Sequence, residues 1–119
     1  MLMALTLYHN PRCSKSREAL ALLRERGLEP EIVEYLKHPP SPEQLREILQ
    51  KLGLTADELL RNSEPEARSL GLTGPSAPHA DILIEAMCTH PRLIQRPILI
   101  HGERARLGRP PEAILEIVH

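Results

Sequence analysis

One residue dominates the chemistry open to this chain: Cys13, in the segment Tyr8-His9-Asn10-Pro11-Arg12-Cys13-Ser14-Lys15-Ser16-Arg17. His9 to Arg12 reads as a turn, and a stretch with helical periodicity follows. Cys13 therefore falls between the end of a strand and the start of a helix. The unpaired N–H groups and the dipole of a helix N-terminus favour an anion, lower a thiol's pKa and leave a nucleophilic thiolate at neutral pH. Arg12, Lys15 and Arg17 add positive charge nearby. The Ser14 and Ser16 hydroxyls are expected to donate to a thiolate or to a bound oxyanion. Ser16 stands where a dithiol oxidoreductase carries its resolving cysteine, so the chain offers one redox-active thiol and a two-electron reduction needs another from outside. The second cysteine, Cys88, lies far along the chain and is expected to be a small buried helix residue.

Other motifs are missing. A phosphatase-type loop needs an arginine where Ala19 stands, and no phosphate-binding or dinucleotide glycine motif occurs. His38, His79, His90, His101 and His119 show no metal-ligand spacing among themselves or with the cysteines, so no metal is expected and each reads as a turn or surface residue. Three arginines stand in suggestive places: Arg61 in Leu59-Leu60-Arg61-Asn62, Arg96 before Pro97, and Arg109 before Pro110. A guanidinium suits a tetrahedral oxyanion because its planar fork donates two parallel hydrogen bonds. The chain holds 12 Arg against 3 Lys, however, so position alone does not single these three out.

The elements that must position these groups can be read in order. Leu5-Thr6-Leu7-Tyr8 is a short strand, a helix runs from Cys13 or Ser14 to about Arg26 with Gly27 as its left-handed cap, and Glu31 to Tyr35 is a second strand. Strand, helix and strand make a βαβ unit with parallel strands. Ser41-Pro42-Glu43-Gln44 combines an N-cap, a proline at the first helical position and a capping-box partner, and opens a helix ending at Gly53. Thr55 to Glu58 repeats the capping pattern and starts a short helix ending near Asn62. Glu64 to Pro78 reads as irregular, and Ala80 to Thr89 as helical. Pro97 to Ile100 is a strand, His101-Gly102-Glu103 a hairpin turn, Ala105 to Leu107 the return strand, and Pro110 to Val118 a closing helix. The order, βαβ – helical insertion – ββα, fits an α/β chain with a mixed four-stranded sheet on a thioredoxin-like scaffold, though other small α/β folds share it.

Composition bounds the function. The chain's 119 residues suit a single domain, residues 1–119, able to bury a core without disulfide staples. A net charge of −1 and only two aromatic residues, both Tyr, argue against nucleic acid as a partner. No apolar run reaches transmembrane length, and Met1 to Leu7 is too short and lacks the basic start of a leader, so no membrane association and a cytoplasmic location are expected.

The segment Tyr8 to Arg17 resembles the active-site segment of the glutaredoxin-coupled arsenate reductase family. The resemblance continues through Tyr35-Leu36, Pro39-Pro40-Ser41, Leu59-Leu60-Arg61, His90-Pro91, Arg96-Pro97-Ile98 and Arg109-Pro110. It implies a thioredoxin-like fold and an enzyme whose cysteine, Cys13, attacks arsenate while Arg61, Arg96 and Arg109 bind the oxyanion and stabilise the thiolate. It further implies that His9 modulates the nucleophile and that Pro97 follows a cis bond lining the site. No resident cofactor is implied; glutathione acts as co-substrate and glutaredoxin as partner. Ser14-Lys15-Ser16 departs from the Gly that directly follows the cysteine in the best-known members. Two other readings share the scaffold. One is an Spx-type regulator that contacts RNA polymerase, opposed by Ser16 in place of a second cysteine and by the retained arginines. The other is a monothiol glutaredoxin-like protein acting on glutathionylated substrates or assembling an iron–sulfur cluster.

Overall fold

A computed structural model of the protein describes residues 4–73 and 79–118. The expectations placed on residues 1–3, on His119 and on the last part of the stretch Glu64 to Pro78 lie outside the described residues. The chain forms two compact units, Met1–His38 with Arg96–His119, and Pro39–Gln95. The second is the helical insertion expected between the halves of the sheet.

The first unit holds β1 (Leu5–Tyr8), α1 (Ser14–Glu25), β2 (Glu31–Val33), β3 (Ile98–His101) and β4 (Arg104–Leu107). The sheet is mixed, in the order β2-β1-β3-β4, with β1 parallel to β2 and antiparallel to β3, and β3 antiparallel to β4. Leu7 is in register with Ile32 on one side and Leu99 on the other. Leu7 and Leu99 share a core with Ala19, Leu20 and Leu23 of α1 and with Ile114 and Ile117 of the closing segment. Each fully buried leucine there is worth roughly 1.5–3 kcal/mol relative to exposure.

The buried stripe of α1 is Ser16, Ala19, Leu20 and Leu23, the i, i+3, i+4, i+7 spacing of one helix face. The helix ends because Gly27 adopts φ +74°: its N–H bonds the Arg24 carbonyl and the Leu28 N–H bonds the Leu23 carbonyl. That is a Schellman ending, which a residue with a Cβ would strain. The strand β2 is shorter than expected. After Val33 the chain turns, the N–H groups of Lys37 and His38 both donate to the Glu34 carbonyl, and Tyr35 is buried rather than extended along the sheet edge. The closing segment is a 3₁₀ helix over Pro111–Ile117 instead of an α-helix, and the Ala113 N–H bonds the Pro110 carbonyl in the i→i+3 pattern. His101, expected in a turn, is the last residue of β3, and its Nδ1 meets the Ile117 carbonyl.

The helical unit contains α2 (Pro42–Leu52), α3 (Ala56–Leu59), α4 (Pro65–Ser69) and α5 (Ala80–Thr89). The Ser41 capping box forms as expected: the Ser41 hydroxyl accepts from the Gln44 N–H, the Gln44 side chain accepts from the Ser41 N–H, and Gly53 caps the far end. The same reciprocal pattern joins Thr55 and Glu58. The helix α4 falls in a stretch expected to be irregular; Pro65 at its first position pre-sets helical φ, and Ala67 is its buried anchor. Leu45, Leu59, Met87 and Leu93 are fully buried in this unit. Cys88 is half-exposed, a correction to the buried residue expected, because it lines an open groove with Ile82, Ala86 and Thr89. Among the described residues no helix is long and apolar enough to cross a membrane.

Candidate active site

Cys13 is the N-cap of α1, with extended backbone angles of φ −97° and ψ 124°. The turn before it is tied at three points. The Cys13 N–H donates to the Asn10 carbonyl at 3.0 Å, the Arg12 N–H to the Asn10 Oδ1 at 3.0 Å, and the Arg17 guanidinium to the Pro11 carbonyl at 3.0 Å. No acidic residue occupies the first turn of α1, so the positive end of the helix dipole is left for the sulfur. Burial alone would push the Cys13 thiol up. The Ser16 N–H, the Arg96 guanidinium and the Lys15 N–H face the sulfur and outweigh burial, leaving the thiol below its ordinary range. By contrast, burial pushes the Cys88 thiol up, so the two cysteines differ in kind.

Ser16 does not act through its hydroxyl in the way its sequence position suggested. Its side chain is fully buried, accepts a hydrogen bond from the Asn10 N–H at 3.0 Å and lies 2.7 Å from the Nδ1 of His9. A buried O–H needs an acceptor, so the hydroxyl donates to Nδ1 and the ring carries its proton on Nε2. Burial holds the His9 pKa below the usual histidine value, which agrees with a neutral ring, and the His9 backbone N–H donates to the Val33 carbonyl at 2.9 Å. Ser14 is exposed, as are Arg12, Lys15 and Arg17.

Arg96 lies at the start of the return to the sheet, and the Arg96–Pro97 and Arg109–Pro110 bonds are both cis. The Nε and Nη1 of Arg96 are buried and make no hydrogen bond among the described residues. Buried donors without partners are rare in native proteins and point to a ligand with acceptor oxygens. Pro97 is held from the other side: its carbonyl accepts from the Gly108 N–H at 2.8 Å. Arg109 is exposed, two residues beyond the end of β4. Within the first unit, therefore, Cys13, Ser16, His9 and Arg96 form one connected group.

Arg61 belongs to the helical unit. Its N–H donates to the Leu93 carbonyl at 2.7 Å, and its guanidinium lies 3.2 Å from Glu64 and 3.3 Å from the Arg92 carbonyl. Glu64 also meets Arg92 at 3.5 Å. Sequence reading missed Glu64 as the residue that orients Arg61. The i, i+3 spacing of the two was the available clue.

The ArsC family model matches residues 8–117. The chain is 43% identical over 117 residues to an arsenate reductase of Haemophilus influenzae, covering 98% of this chain and all of that one. It is 50% identical over 113 residues, 94% of each chain, to the uncharacterized protein YfgD of Escherichia coli K12. Among solved structures, an arsenate reductase from Vibrio cholerae superposes with a TM-score of 0.94 at 45% identity, covering 99% of this chain and 100% of that one. The mixed sheet with its helical insertion is accordingly the thioredoxin-like α/β fold of these enzymes. With this agreement of sequence and fold over a span, residues 8–117, that contains Cys13, Arg61, Arg96 and Arg109, the chain belongs to the ArsC family.

Proposed function

We propose that the chain reduces arsenate to arsenite through a covalent adduct on Cys13, using glutathione and then glutaredoxin as the external thiols. The observation that carries this reading is the pairing of a thiol held below its ordinary pKa with a guanidinium whose Nε and Nη1 are buried and unpartnered. Anionic nucleophile and oxyanion donor then belong to one site.

In the first step the Cys13 thiolate attacks arsenic, an As–O bond breaks, and the departing hydroxyl leaves as water with the proton of a second arsenate hydroxyl. Arsenic remains As(V). Arg96, with Arg61 and Arg109 as the family resemblance assigns them, holds the oxyanion and offsets its charge in the transition state. In the second step the glutathione sulfur attacks the Cys13 sulfur. The S–As bond breaks and its electron pair stays with arsenic, which leaves as As(III) arsenite, while a Cys13–glutathione disulfide forms. Two thiols have then supplied two electrons. In the third step a glutaredoxin thiol takes the glutathione by disulfide exchange and returns Cys13 as a thiol. Phosphate fits the same donors but cannot be reduced, so it acts as a competitor. No resident cofactor enters this sequence.

The test is arsenate-dependent oxidation of glutathione coupled to glutaredoxin, run beside the Cys13→Ser variant. The wild type should turn over and the variant should be inactive while keeping its fold. Arsenite formation by Cys13→Ser at the wild-type rate would overturn the mechanism.

A further inference from the structure

A groove of about 310 Å³ opens beside the reactive turn, at the small end of the roughly 300–1,000 Å³ typical of small-molecule sites. Asn10, Pro11 and Arg12 form one wall, and Glu34, Leu36 and Lys37 form the other. The groove is polar at its rim and apolar at Leu36, a leucine 39% exposed. The Arg12 guanidinium makes no hydrogen bond or ion pair among the described residues. Lys37 and Glu34 approach to only 3.7 Å with side chains 74% and 40% exposed. A pair so loose and wet is worth little and exchanges readily for a ligand. The groove thus offers two cations and one carboxylate around an apolar patch.

We propose that this groove seats the thiol co-substrate, a glutathione-like tripeptide whose two carboxylates are held by Arg12 and Lys37 and whose ammonium is held by Glu34. The assignment rests on the reading above that an external thiol completes the reduction. The charges match in number and sign: two carboxylates and one ammonium against two cations and one carboxylate. The groove also adjoins the reactive turn: Arg12, part of its wall, directly precedes Cys13 in the chain. The Asn10 turn that fixes the Cys13 N–H also fixes the Arg12 N–H, so nucleophile and groove wall are set by the same residue.

S-methylglutathione, which binds without reacting, is the probe. Titrated into the reduced protein and followed by backbone amide NMR shifts, it should move the amides of Arg12, Leu36 and Lys37. The Arg12→Ala/Lys37→Ala double variant should bind it at least fivefold more weakly, and Glu34→Gln should bind it more weakly as well. Esterifying both carboxylates of the probe should weaken binding to wild type by a similar factor. Shifts confined to other surfaces, no saturable binding, or equal affinity for wild type and double variant would each overturn the assignment. Because this readout involves no arsenate, it fails separately from the reductase reading. Binding in the groove upholds the assignment whatever the arsenate assay gives.

Discussion

The Nδ1 of His9 and the hydroxyl of Ser16 lie 2.7 Å apart, with both residues buried beneath the reactive turn. Ser16 is three residues after Cys13, and its two ends have different tasks: its N–H faces the Cys13 sulfur while its hydroxyl ties His9 to the Asn10 N–H. The pair is a brace for the first turn of α1. Replacing Ser16 by Ala leaves the Asn10 N–H and the His9 Nδ1 buried without a partner, which costs about 1–3 kcal/mol. Urea unfolding of Ser16→Ala should show that loss. Stability equal to wild type would mean that the hydroxyl is not a brace.

The same pair makes stability depend on acid. Burial depresses the His9 pKa in the folded protein, so the unfolded chain takes up the proton first as pH falls. The stability contributed by neutral His9 is complete above the ordinary histidine pKa and is lost as pH falls through the depressed folded value. A His9→Gln variant, which cannot titrate, should lose less stability than wild type over that window in paired denaturation curves. Parallel curves would show that His9 does not carry the acid sensitivity.

Arg96 both lowers the Cys13 pKa and presents buried donors. Arg96→Ala should move the inflection of the iodoacetamide reaction with Cys13 to higher pH, measured in a Cys88→Ser background. It should also lower arsenate turnover by about 10²-fold, the usual loss for one oxyanion donor. Arg96→Lys keeps the charge without the fork, so its thiol titration should stay nearer to wild type than its turnover does. An unchanged titration in Arg96→Ala would remove Arg96 from the electrostatics of the sulfur.

What the sequence made legible follows how local the physics is. The ends of α1 and α2 were readable because Gly27, Ser41, Gln44 and Gly53 act on neighbours within a few residues. The position of Cys13 was readable for the same reason. The direction of the Ser16 side chain was not, because its partner His9 sits on the strand side of the turn. A clue was nonetheless present: Ser16 falls on the stripe completed by Ala19, Leu20 and Leu23, where a polar residue must be buried and bonded. The helix α4 was hidden by the surrounding Pro, Gly and Ser, which read as a loop until Pro65 is placed at a first helical position. The loss of β2 beyond Val33 depends on burial of Tyr35, which tertiary packing decides. The groove at Arg12 and Lys37 joins residues 25 apart, and no local pattern announces it.

Gly108 is required by close approach. A Cβ built there would stand 2.6 Å from the Cγ of Pro97 and 3.4 Å from Ile114. The proline ring cannot swing aside as a flexible side chain would, so Gly108→Ala must shift the backbone at Pro97 or β4. That overpacking costs about 1–3 kcal/mol. It also displaces the segment that carries Arg96, so the thiol inflection of Cys13 should move upward in this variant. A loss of stability with the Cys13 titration unchanged would separate the packing of Gly108 from the site.

Glu64 tests the arginine of the helical unit. Its side chain is only 14% exposed and serves two cations, Arg61 at 3.2 Å and Arg92 at 3.5 Å. Arg61 is 21% exposed at the side chain, whereas Arg92 is 70% exposed. The pair with Arg61 is therefore shielded and the pair with Arg92 is wet. Glu64→Gln removes the charge and keeps the shape, so Arg61 loses its carboxylate partner, while the Arg92 carbonyl remains, at a cost of about 1–3 kcal/mol, between the values for surface and buried pairs. Arg92→Ala should stay within about 0.5 kcal/mol of wild type, as surface changes usually do. If Arg61 holds the arsenate oxyanion, Glu64→Gln should raise the KM for arsenate more than it lowers kcat, because the guanidinium remains but is held by fewer partners. A stability loss with an unchanged KM would leave Arg61 and Glu64 as a structural pair alone.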